Sequence, residues 1–359
     1  MVTARRRLPA APLALALVAV LVCALAGGLL RAGAGLGAIA AMPGAGQVVA
    51  QHAALMIGAF MGALIAIERC VALKWRAGWA APVACVAAGV ALFSGHMTAG
   101  AALLAGASSL FVAMNVMIVA RQAVPHTWLL LAGACCWLAG NVVFLAGGPA
   151  AATHAWWFAF LVMTISAERL EMARLMRTRR GSRASLVVVL ALLALGAGAS
   201  AFAPAAGGVL FGASLASLAG WLLRNDIARR TVRADGLPRY MAVCLLGGYG
   251  WLAIAGVAWA GWSMGWPLRD AALHALGLGF VFSMMMGHAP VILPAVAGIK
   301  VRFGPWFYVP LAALHASLLL RLAGPLFVPG AQSTGSLLNA AAIGLFVLTL
   351  AGSAIARPR

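Results

Sequence analysis

Apolar runs of roughly twenty residues, separated by short basic or Gly- and Pro-containing turns, recur along the whole 359-residue chain. Each run is long enough to carry a helix across a hydrocarbon layer about 30 Å thick. Twelve spans are predicted, at 10–31, 52–74, 78–94, 98–120, 126–147, 154–175, 184–203, 206–223, 239–262, 270–298, 304–323 and 334–355. The expected fold is an all-α integral membrane protein, a single polytopic domain over residues 1–359. The basic N-terminus followed by an apolar run has the layout of a signal peptide. An uncleaved first span fits the charge pattern below.

Polar positions inside these runs give three blocks a common look. Gln51–Arg76 and Thr153–Arg177 each open on a histidine, His52 and His154, and carry a Glu-Arg pair deeper in, Glu68-Arg69 and Glu168-Arg169. Asp270–Gly298 carries His274 and, fourteen residues on, His288. The blocks are four spans apart, the spacing that three pseudo-symmetric arcs of four helices produce. His288, Pro290 and Pro294 predict a kink in the second half of the tenth span.

Charge fixes the expected orientation. With the N-terminus inside, twenty of the 25 Lys and Arg residues fall on cytoplasmic segments and three, Arg31, Arg269 and Arg321, on the other face. Both chain ends are then cytoplasmic, and a bacterial inner membrane is the expected location. The net charge of +19 is membrane-surface charge on this reading, with no nucleic-acid partner. The chain is 64% hydrophobic and 9% charged, with a mean hydropathy of +1.02, so its expected solvent is lipid. Its six cysteines lie in or beside apolar runs without a CxxC or CxxCH pattern, which predicts neither a disulfide nor covalent haem.

In this orientation His52, His154 and His274 stand at the outer ends of spans 2, 6 and 10, and His315 in the outer half of span 11. Two neutral imidazoles on different helices at one depth suit axial ligation of a haem iron, or copper. The bland alternative is a hydrogen-bonded histidine at the headgroup boundary. Arg269 and Arg321 are candidates for pairing with haem propionates, or snorkel to the headgroups. Glu68, Arg69, Glu168, Arg169 and His288 are embedded polar residues whose reading is a structural clamp between spans 2 and 6, or a proton path. Sequence neighbours point apart on a helix, so each Glu is expected to pair elsewhere; Glu171 with Arg174 is a possible local pair.

His52-Ala53-Ala54-Leu55-Met56 in span 2, and His274, Gly279, Val281-Phe282 and Gly287 in span 10, resemble the haem-ligating helices of the heme-copper oxidase subunit I superfamily. That family has twelve spans in three arcs, with a low-spin haem held by histidines of spans 2 and 10. The seventh span, Ala184–Ala203, has no histidine, and span 10 lacks the family's His-x-His, so an oxygen-reducing centre is not implied. The closer likeness is to NnrS-type membrane proteins. It implies haem and copper and a redox or nitric-oxide-related role with a redox partner or gas ligand; His52 and His274 are the candidate axial ligands of a non-covalent haem b, and His315 and His154 are candidates for a second ligand set that could take copper. Two other classes remain open: a secondary transporter using buried carboxylates, and a structural or assembly subunit.

Overall fold

A computed structural model describes residues 10–172 and 181–355, and all regular structure among them is helical. The order is α1 (Ala10–Arg31), α2 (Ala45–Leu73), α3 (Ala80–Phe93), α4 (Met97–Arg121), α5 (Pro125–Leu145) and α6 (Ala150–Met172). There follow α7 (Ser182–Ala199), α8 (Pro204–Asn225), α9 (Gly236–Ser263), α10 (Arg269–Val296), α11 (Pro305–Leu326) and α12 (Ala331–Ile355). Among the described residues eleven helices are long and apolar enough to cross a membrane. The exception is α3, whose 14 residues rise only about 21 Å. A single 3₁₀ turn, Ala77–Trp79, extends it at its start.

The chain forms two compact units, residues 1–114 and 115–359, with the boundary inside α4. In the first unit α1 packs against the first half of α2. Glycine makes the approach close: a Cβ on Gly27 would run into the Val48 carbonyl of α2. In the second unit α9 is the hub, packed against α8 on one side and α10 on the other, while α5 pairs with α6 and α11 with α12. Gly212 of α8 and Gly256 of α9 each abut the other helix's backbone, so the two axes come together without intervening side chains. Most of α6 is covered by protein: 78% of its most apolar stretch is buried, against 28% for α12. Asn141 of α5 accepts a hydrogen bond from the Trp157 indole of α6 at 2.9 Å. Asn339 of α12 meets the Ser317 hydroxyl of α11 at 2.7 Å. Both links join neighbouring helices through amides that hydrocarbon would leave unsatisfied.

Among the described residues two helices carry a π-helical segment, and they do so at corresponding places. In α2 a π-helical segment, Ala54–Met61, begins two residues after His52. In α10 another of equal length, Ala275–Phe282, begins directly after His274. Helix α6, which carries His154, is α-helical throughout, so this likeness joins two of the three sequence blocks and not the third. The irregularity of α10 therefore lies before its prolines; Pro290 and Pro294 sit inside a continuous helix that runs to Ala297. π-Segments are rare and gather at functional sites, because the wider turn re-aims side chains and loosens the backbone ladder.

Candidate functional site

In the first unit, His52 Nδ1 lies 2.6 Å from the Ala24 carbonyl oxygen of α1. A carbonyl only accepts, so Nδ1 carries the proton and Nε2 holds the lone pair. Gly28 makes the seat for this ring: a Cβ there would stand 2.8 Å from His52 Cε1. Arg31, one turn beyond Gly28, donates to the Val49 carbonyl of α2 at 2.7 Å.

The second unit builds a fuller arrangement at the start of α10. His274 Nδ1 is 3.0 Å from the Asp270 carbonyl and 2.9 Å from Asp270 Oδ1. Both are acceptors, so His274 also has its proton on Nδ1 when neutral. The Asp270 carboxylate is gripped from α11 by Arg321, with Nε at 2.9 Å and Nη2 at 2.8 Å. This is a bidentate fork, and Arg321 is 8% exposed. Arg321 is thus committed to Asp270. Arg269, exposed, has its guanidinium carbon 5.9 Å from the centre of the Trp262 ring.

His315 of α11 has the opposite tautomer. Trp251 of α9 donates its indole N–H to His315 Nδ1 at 2.7 Å, and an indole only donates. The His315 proton therefore sits on Nε2. Gly279, in the π-segment of α10, leaves room for the Trp251 ring, which a Cβ would strike. His154 is buried, with its ring centre 6.1 Å from that of Trp157 on the same helix. Among the described residues no three His, Cys, Asp or Glu side chains converge as a metal cage would require.

A separate polar group lies toward the other end of α10. Arg169 Nη2 of α6 donates to His288 Nε2 at 2.5 Å, while His288 Nδ1 donates to the Met284 carbonyl at 2.5 Å. Both nitrogens are spoken for as those of a neutral imidazole. Arg169 is 4% exposed, its Nε has no hydrogen-bond partner, and among the described residues no carboxylate lies within 4 Å of it. The Tyr249 hydroxyl of α9 is buried in the same region, where Asp226 and Arg169 are the charged groups that act on it. Asp226, itself buried, receives the Ala228 N–H at 2.7 Å.

Arg69 Nη1 reaches back to Glu68 Oε1 at 3.6 Å, because two long side chains can bend toward each other even when their Cβ atoms diverge. Arg169 turns to His288. Glu171 faces His126 of α5 at 4.0 Å; its proposed partner Arg174 lies outside the described residues. Asp270, Trp251, Tyr249 and Asp226 did not stand out in the sequence. Asp270 had a readable signal, the four-residue spacing to His274 that puts both on one helix face. The others meet their partners only through tertiary packing.

No curated protein and no solved structure matches the chain. A family model described as "Domain of unknown function (DUF8744)" matches residues 7–355, and the chain belongs to that family.

Proposed function

We propose that the chain is a haem-binding protein of the bacterial inner membrane, with twelve spans in three arcs, and that His274 and His52 are ligand-type imidazoles. The observation that carries this reading is the Asp270–His274 pair, backed by Arg321. A neutral imidazole that donates its Nδ1–H to a carboxylate or carbonyl is oriented and more basic at Nε2, which is how metal-bound histidines are usually held. His52 has the same support from the Ala24 carbonyl. A neutral imidazole supported in this way suits an iron porphyrin, and on this reading Arg269, exposed one residue before Asp270, is the arginine left for a propionate, since Arg321 is paired with Asp270. Haem would supply electron transfer or binding of a gas such as nitric oxide. Copper at His315 is less well supported, because its Nε2 carries the proton that metal binding through that atom would displace.

Haem content and a reduced-minus-oxidised visible spectrum of the detergent-purified chain test the proposal. A b-type spectrum that is lost in His274→Ala supports it. A flat spectrum from haem-replete cells overturns it and turns attention to Arg169 and His288, whose buried, carboxylate-free cation favours a transport role instead.

A further inference from the structure

The end of the second unit where α7 begins and α8 ends carries an open cleft of about 540 Å³. Arg224, Arg229 and Arg233 line it, together with Leu223, Val232 and Leu246. An adjoining cleft of about 610 Å³ shares Gly220 and Arg224 and adds Ser182, Ser185, Trp221 and Asn225. None of the three arginines is paired with a carboxylate among the described residues. The nearby Asp226 is buried and caps the one-turn helix Ala228–Thr231. The Trp221 indole donates to the Ser182 carbonyl at 2.9 Å and fixes the polar wall of the second cleft.

Beyond these clefts α8 exposes small residues while the two helices packed against it expose large apolar ones, an arrangement we read as an apolar furrow. Its floor is a row of small exposed residues on α8, Ala213, Ser217 and Gly220, at helical spacing. A Cβ added at Gly220 would meet nothing within 4 Å. One wall is the exposed Val188, Leu192 and Leu195 of α7. The other runs from Leu246 to the exposed Ile254 and Val257 of α9. Helix α8 packs against both of its neighbours, so floor and walls belong to one body.

We infer that this is a binding site for an anionic phospholipid, with its phosphate among Arg224, Arg229 and Arg233 and an acyl chain along the α8 furrow. Charge complementarity identifies the headgroup: unpaired guanidiniums match phosphate oxygens, and basic pockets between membrane helices hold such headgroups. The attached furrow identifies a lipid, because a free anion has no use for it. The site is independent of the haem proposal.

The full chain, reconstituted in phosphatidylcholine nanodiscs with or without phosphatidylglycerol, tests the assignment through co-purified lipid and thermal unfolding. Phosphatidylglycerol should be enriched around the wild type and raise its unfolding temperature. Arg224→Gln/Arg229→Gln/Arg233→Gln should weaken that preference on the order of a hundredfold. Gly220→Leu, which fills the floor without altering charge, should also reduce retention although Leu is the better helix former and should not lower stability in pure phosphatidylcholine. Should the triple variant fail to fold, the Gly220→Leu result alone decides. Equal retention by wild type and variants overturns the inference. So does matching stabilisation by sn-glycerol 3-phosphate in solution, since the site would then take the free phosphate.

Discussion

The two ends of α10 place histidines in opposite electrostatic settings. At its start, Asp270 and Arg321 neutralise each other in a bidentate pair, and His274 completes the network by donating a hydrogen bond from its Nδ1–H. Fourteen residues on, His288 accepts from Arg169, a buried cation with a partnerless Nε and no carboxylate in reach among the described residues. The first arrangement is balanced and holds one imidazole in a defined orientation. The second buries a cation with no carboxylate in direct contact among the described residues, Asp226 standing across the Tyr249 hydroxyl in the same region. A membrane protein has reason to keep each, but the reasons differ: orientation of a ligand in one case, a site for a mobile charge or polar group in the other.

Breaking the balanced end should have the largest effect. Asp270→Ala strands the buried Arg321 guanidinium and is expected to cost about 3–5 kcal/mol, read as a lower unfolding temperature in detergent. Adding Arg321→Met should recover most of that loss. The unbalanced end should respond in the opposite sense. Arg169→Met removes a lone buried cation and should stabilise by roughly 1–2 kcal/mol, since an apolar group there has no desolvation penalty. A loss of stability in the same assay would mean that Arg169 is compensated. Trp251→Phe removes the hydrogen bond to His315 together with part of a buried ring, and is expected to cost about 1–2 kcal/mol. Glu171→Gln, touching a half-exposed carboxylate 4.0 Å from His126, should change stability by less than about 0.5 kcal/mol.

Much of the architecture was legible because lipid imposes a simple rule: every backbone group must be bonded internally, so apolar runs of fixed length become helices. The run at 78–94 was the weakest match, and its helix is the short α3. Individual site residues were legible as embedded histidines and arginines, since such groups are costly and stand out. Their partners were not. The Ala24 carbonyl behind His52 and the Trp251 indole on His315 depend on which helix faces which, and no local spacing encodes that. Arg321 illustrates the limit well: its place at a span end suggested a propionate or the headgroups, and the Asp270 carboxylate that it meets from α10 was not foreseen. The π-segments were equally hidden. They follow His52 and His274 without a proline at either site, well before Pro290 and Pro294 of the α-helical part of α10.

The most direct test of the central claim is the electron paramagnetic resonance spectrum of the oxidised, haem-loaded chain, compared with that of His274→Ala. Ligation by His274 predicts a low-spin ferric signal in the wild type that becomes high-spin or disappears in the variant, with Asp270→Asn shifting its g-values. Identical spectra from wild type and His274→Ala, or a purified wild type without haem, would contradict it.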